Sequence, residues 1–207
     1  MRIITVSRQF GSGGRELGKR LAGELGWDYY DEQIIERLAE GEGMSKEYVQ
    51  EVLNNHEWNS IPLTFRNSFS GVGFDGWGRT QLLIKQREII EDIAASGNDC
   101  IIVGRDADII LRDYKPFRIF VCAEMESRLE RCMKHERKKE SGQLSERDVK
   151  RNILRIDRQR ASVREMLTGK DWGDGSAFDL TINASNRNIK KLAAMVAVFA
   201  GSWFEEE

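Results

Sequence analysis

Ile3-Ile4-Thr5-Val6-Ser7-Arg8-Gln9-Phe10-Gly11-Ser12-Gly13-Gly14-Arg15-Glu16-Leu17 is the stretch from which the rest of the chain is read. Ile3 to Val6 is a short apolar, β-branched run, the pattern of a buried strand. Gly11, Gly13 and Gly14 follow. Leu17, Leu21, Ala22 and Leu25 then recur at helical spacing, so a helix begins at Gly13 or Gly14. Strand, glycine-rich turn and helix start together form a cradle for phosphate. Glycines let successive backbone N–H groups converge on one anion without a Cβ in the way. The helix start adds unsatisfied donors and a partial positive charge. Arg15 puts a full cation in the first turn, where a helix gains nothing from it unless an anion is near.

The same residues also read as a glycine-rich connection that binds nothing, since short glycine motifs are weak signals. Position favours the cradle: this is the first β-to-α turn, and open α/β sheets take ligands at the carboxyl ends of their strands. The standard phosphate-loop pattern, G-x-x-x-x-G-K-[ST], is not completed. Gly14 stands where lysine is expected, and Arg15 and Glu16 stand where Ser or Thr is expected. Arg15 can donate to phosphate, with a reach and geometry unlike lysine's. Glu16 either holds a metal or offsets the helix dipole.

A chain of 207 residues suffices for one sizeable domain with a small insert. Its 40% hydrophobic and 32% charged content fits a globular protein in water. With 32 basic and 34 acidic residues, the net charge of −2 argues against generic nucleic-acid binding. Cys100, Cys122 and Cys132 contain no C-x-x-C pair, which argues against a disulfide scaffold or a zinc site. His56 and His135 are too few for a metal-histidine cluster. The start of the chain enters a strand directly, and no apolar run has membrane-spanning length. The expectation is a cytoplasmic protein with no membrane partner.

Further along, Gly26 ends the first helix and Trp27 to Tyr30 make a short second strand. Asp31 sits at that strand's end, placed either to cap a helix over 32–39 or to serve a site. Ser45 opens a helix reaching Asn54. The stretch 41–79 carries Trp58, Phe65, Phe69, Phe74 and Trp77 among many glycines. A segment this long and irregular reads as a substrate-side insert or a dimer contact, or else as plain packing. Thr80 to Ala95 is a helix stopped by Gly97. Cys100 to Val103 is a wholly apolar strand, as in a parallel sheet covered on both faces. It runs into Gly104-Arg105-Asp106, a charged pair at a functional position, with Asp106 as cap of a helix over 107–111 in the alternative reading.

Phe117 to Cys122 is another strand. Two helices follow, Glu124 to Glu140 and Ser145 to about Leu167, the second opened by a Ser-x-x-Asp box. Arg128, Arg131, Lys134, Arg137, Lys138 and Lys139 read as outer residues of the first; Lys150, Arg151, Arg155, Arg158, Arg160 and Arg164 belong to the second. Such residues one by one are ordinary solvated faces. Together, across residues 134–150 and their flanks, they read as an arginine lid over anionic substrates. Residues 168–175 are turn-rich, Phe178 to Asn183 is the last strand, and a helix with a clean apolar stripe runs from about Arg187 to Phe204. Five strands alternating with helices predict a three-layer α/β fold on a parallel sheet with right-handed crossovers.

Several of these pieces resemble the cytidylate kinase-like proteins of the P-loop nucleoside monophosphate kinase group. They are Ser7 to Glu16, Val103-Gly104-Arg105-Asp106-Ala107-Asp108, Asp157-Arg158-Gln159-Arg160, Thr168 to Asp174, and Phe178 to Ser185. In order, they cover almost the whole chain. The resemblance implies a P-loop kinase fold with a lid and an NMP-binding arm. It implies transfer of the γ-phosphoryl group of ATP, with Mg2+, to a nucleoside monophosphate, most simply CMP or dCMP. Arg8, Gly11, Ser12, Gly13, Gly14, Arg15 and Glu16 would hold the donor phosphates. Asp31, Arg105, Asp157 and Arg160 match acceptor-contacting positions, and Arg128 and Arg131 match basic positions before the lid. Arg15, Arg128 and Arg131 are the catalytic candidates, and Glu16 and Asp106 the carboxylates available to Mg2+. The chain departs from the family pattern at Gly14, where lysine is usual, and at Ile153, where arginine is usual. A nucleotide-binding regulator on a decayed kinase fold is the other reading.

Overall fold

Ile4, Val6, Ile101, Val103, Phe117, Ile119 and Val121 occupy alternate strand positions and share one buried cluster. Ile3, Ile102 and Phe120, one residue out of step with them, are buried on the opposite face. Strands covered on both sides must be apolar throughout, which is why these runs lack polar alternation. The computed structural model describes residues 1–54, 79–136 and 145–205. It sets β1 (Ile3–Arg8), β2 (Asp28–Tyr30), β3 (Cys100–Val103), β4 (Phe117–Cys122) and β5 (Leu180–Asn183) in one sheet. The order of this five-stranded sheet is β2-β3-β1-β4-β5, and every pairing is parallel.

The helices are α1 (Gly14–Leu25), α2 (Glu32–Glu42), α3 (Lys46–Asn54), α4 (Arg79–Ala95), α5 (Ala107–Ile110), α6 (Met125–Glu136), α7 (Glu146–Thr168) and α8 (Ile189–Glu205). Leu17, Leu21 and Ala22 of α1 share the first-face core with Ala193, Val196 and Ala200 of α8. Small side chains let these layers approach closely. A Cβ added to Gly18 would lie 2.6 Å from Val103 Cγ2, so α1 rests directly on β3. Gly26, at φ 69, ends α1 as expected. Ser145 caps α7 by accepting the N–H of Asp148 at 3.2 Å. No helix among the described residues is long and apolar enough to cross a membrane.

The described residues divide into two compact units, Met1–Asp31 with Ile90–Glu207, and Glu32–Ile89. The second holds α2, α3 and the start of α4, with a core of Ile35, Leu38, Ala39, Val49, Leu53 and Leu82. The aromatic stretch from Trp58 to Trp77 lies outside the described residues, as do Arg137 to Leu144 at the expected lid turn.

Two local expectations are corrected. β1 runs on to Arg8, so the glycine loop begins at Gln9. Arg128 is not an outer residue of its helix but is buried against Asp157, and Arg164 of the second helix is likewise buried, against Asp108.

Candidate active site

In the order β2-β3-β1-β4-β5, the chain leaves β1 toward one edge of the sheet and leaves β4 toward the other. The loop after β1 therefore opens at the switch point, where parallel sheets take ligands. Gln9 ties the two strand ends together. Its N–H donates to Val121 O at 3.0 Å, and its side-chain oxygen accepts from Ala123 N at 3.0 Å.

The loop glycines are packed from behind. Gly11 has φ 77, and an added Cβ would lie 2.9 Å from Cys132 Sγ and 3.0 Å from Arg128 O. Gly13 has φ 91, and its Cβ would lie 2.7 Å from Ile189 Cδ1. Both conformations favour glycine on their own account. Ser12 is buried; its hydroxyl donates to Gln9 O at 2.9 Å and accepts Gly14 N at 3.4 Å. The loop is thus a rigid backbone surface rather than a slack connection.

Its rigidity is extended by α6 and α7. Arg128 donates to Phe10 O at 2.8 Å and pairs with Asp157. Asp157 in turn accepts the N–H of Phe10 at 2.8 Å. Arg131, one turn after Arg128, donates to Ser12 O at 3.1 Å and to Ala184 O. Arg160, one turn after Asp157, donates to Arg8 O at 2.8 Å, and its guanidinium lies 5.8 Å from the Phe10 ring centre. So the matched residues of the two basic helices reach the backbone on either side of the loop.

Beside the loop, the ends of β1, β2 and β3 present Arg8, Asp31, Arg105 and Asp106. Asp31 is buried, accepts Arg15 Nε at 2.5 Å and the Tyr29 hydroxyl at 3.4 Å, and lies 3.6 Å from Arg8 Nη2. The Asp31 carboxylate at the end of β2 thus meets two arginines. Gly104, Arg105 and Asp106 have φ 76, 60 and 51, a left-handed turn of which two residues carry a Cβ. Such a turn stores backbone strain of a kind concentrated at functional sites. Asp106 stands at the N-cap of α5, but its side chain makes no cap hydrogen bond.

Guanidinium groups crowd one another here. Burial first, then Arg8, pushes Arg160 down to about 9 and Arg105 down to about 10; both stay charged at neutral pH. Arg8 is lowered by burial, against the pull of Asp31. Burial, with Asp108 behind it, raises Asp106 to about 6. Cations in this proximity make a site whose charge selects anions.

Arg8, Gly11 to Arg15, Asp31, Arg105, Asp157, Arg160, Arg128 and Arg131 therefore sit in or against one region of the first unit. Glu16 is set apart, with its carboxylate on Arg20 at 2.7 Å. Among the described residues, no three His, Cys, Asp or Glu side chains gather as a metal cage. Sequence reasoning missed Gln9, Tyr29 and the Asp108–Arg164 pair. The signal for that pair was Asp108 in an otherwise apolar helix, a carboxylate needing a cation from elsewhere.

A model of the cytidylate kinase-like family matches residues 3–186. A cytidylate kinase from Thermotoga neapolitana is 28% identical over 118 residues, 57% of this chain and 50% of that protein. The chain thus matches about half the length of this curated relative. Among solved structures, an uncharacterized protein from Eubacterium ventriosum superposes with a TM-score of 0.67 at 21% identity, covering 98% of this chain and 99% of that one. Shikimate kinase from Acinetobacter baumannii, in complex with shikimate, gives 0.53 at 13% identity over 98% and 94% of the two chains. The structural likenesses show a shared kinase fold.

Proposed function

The chain belongs to the cytidylate kinase-like family, and from that membership we propose that it transfers the γ-phosphoryl group of ATP to a nucleoside monophosphate, with CMP or dCMP as first candidates. The observation that carries the reading is the gathering of Arg8, Arg15, Arg105 and Arg160 beside a rigid glycine loop at the switch point. Phosphoryl transfer asks a protein for position and charge more than for covalent chemistry. Loop backbone from Gly11 to Arg15 holds the donor phosphates at the start of α1. Asp31, Arg105 and Arg160 face the acceptor, its phosphate against the guanidinium groups. Arg128, Arg131 and Asp157 keep the loop backbone in register with α6 and α7. The basic segment 134–150 closes over both substrates and excludes water. No separate general base is needed.

A Mg2+ would be held chiefly by phosphate oxygens and waters, with Asp106 or Glu16 as its protein carboxylate. That ion would offset charge on the phosphate oxygens. ATP and nucleoside monophosphates would be met in the cytoplasm, and the aromatics of 41–79 would serve a homodimer contact.

Gly14, in the lysine position, favours a second reading: a nucleotide-binding regulator with little turnover. One experiment separates the two. Purified protein is given ATP, Mg2+ and, in turn, CMP, dCMP, UMP or AMP. Acceptor-dependent ADP release is expected for the kinase. ATP binding without such release supports the regulator, and no uptake of any nucleoside triphosphate ends both readings.

A further inference from the structure

The standard phosphate-loop pattern runs G-x-x-x-x-G-K, with its cation last. Aligned on Gly13, this chain runs Arg8-Gln9-Phe10-Gly11-Ser12-Gly13-Gly14. A cation, here arginine, stands where the first glycine is usual and a glycine where the lysine is usual, and the geometry makes the two changes a single exchange. A Cβ added to Gly14 would lie 2.5 Å from the Cβ of Arg8 and 3.0 Å from its Cγ. The stem of Arg8 thus fills the space that a side chain at position 14 would need. At its far end, Arg8 Nη1 lies 1.5 Å from where a Cβ of Gly104 would be. The residue after strand β3 must therefore be glycine for the guanidinium to lie across it.

Arg8 is under-neutralised for a buried cation. Its ion pair, with Asp31, is long at 3.6 Å, and that carboxylate is already engaged by Arg15 at 2.5 Å. Asp31 Oδ1, the atom nearer Arg8, is buried and accepts no hydrogen bond. Arg15 differs in kind: its side chain is 56% exposed against 12% for Arg8. A guanidinium lying between the glycine loop and the ends of β2 and β3 is placed to touch the donor and acceptor phosphates together. Its planar fork of donors suits two oxygens better than an ammonium does.

We infer that the cation meeting the transferred phosphate is Arg8, entering from the end of β1, and that Gly14 and Gly104 are glycines because Arg8 occupies their side-chain space. This rests on the phosphoryl-transfer reading above and deepens it.

The test compares Arg8→Gly, Gly14→Lys and the double variant, which restores the G-x-x-x-x-G-K part of the standard pattern. Folding is checked by circular dichroism and melting. At saturating ATP and acceptor, Arg8→Gly is expected to lower kcat about 10³-fold or more. Gly14→Lys is also expected to be slow, because its Cβ meets Arg8. The double variant is expected to exceed the slower single variant by about tenfold or more, a coupling that independent sites do not show. Arg8→Gly within about tenfold of wild type overturns the inference, as does a folded double variant no faster than the slower single one. If Arg8→Gly does not fold, the double variant against Gly14→Lys carries the comparison.

Calorimetry with inorganic tripolyphosphate separates this inference from the reading beneath it. Wild-type protein that binds tripolyphosphate, loses about tenfold in affinity on Arg8→Gly and yet transfers nothing would sink the kinase while leaving Arg8 on the phosphates. Active wild type with an equally active Arg8→Gly does the reverse.

Discussion

Gly11 shows what a single residue contributes. Its left-handed backbone and the 2.9 Å approach of Cys132 Sγ to a would-be Cβ leave no room for alanine. Gly11→Ala is expected to cost about 2–4 kcal/mol, from the backbone conformation and the forced repacking together. Urea denaturation reads that loss, and an ATP titration reads the displaced loop; an unchanged midpoint would show that the loop is not held from behind. The turn from strand through glycines to helix was legible, but the reason for its glycines was not, because Cys132 and Ile189 approach them from parts of the chain more than a hundred residues away. Arg128 was misplaced, and the burial of Arg164 not foreseen, for a related cause. A basic residue on a charged helix reads as solvated until its buried carboxylate, Asp157 or Asp108, is known. Breaking either pair from one side would leave a buried charge uncompensated, which is far costlier than losing a surface pair.

Among the elements, α7 was the most plainly written. The Ser145-x-x-Asp148 box marks its start, and the structure has it; Gly169, from the turn-rich connection that follows, closes its end. Ser145→Ala is expected to cost about 1 kcal/mol. In a chain of this size that corresponds to a melting point lower by about 2–4 °C. Differential scanning calorimetry checks it, and no shift would mean that the cap does not hold the helix start. Less legible was how α6 and α7 are used. Their cations divide by helical turn: Arg128 and Arg131 on one, Arg160 on the other, are spent on carbonyl oxygens of Phe10, Ser12 and Arg8. Among the described residues, Arg151 and Arg155 bond along their own helix. The alternation of strands and helices was enough to foresee the sheet. The order of its strands was not readable from it, since pairing depends on which apolar faces meet.

For the molecule as a whole, the last strand is anchored by charge. Asp179 accepts the main-chain N–H of Arg118 at 2.8 Å and both arms of its guanidinium, at 3.0 and 2.6 Å. Burial alone would raise the Asp179 carboxyl, but these bonds outweigh it and hold it below its ordinary value. A carboxylate lowered by folding stabilises the native state above its unfolded pKa of about 3.9. That contribution is lost as pH falls through the folded value. Asp179→Asn is therefore expected to cost about 1–2 kcal/mol near neutrality, allowing for the exposure of Arg118. It should also flatten the acid limb of stability below about pH 4. Melting temperatures from about pH 2 to pH 7 test both, and an acid limb as steep as wild type's would refute the anchor.

The pairing of α1 with α8 has a consequence for synthesis. Residues of α8 follow those of α1 by more than 160 positions, so the ribosome makes α1 and all five strands before it makes this part of their cover. In that interval the side of Leu17, Leu21 and the central strands that α8 later closes is open to water, and shielding by a chaperone matters most.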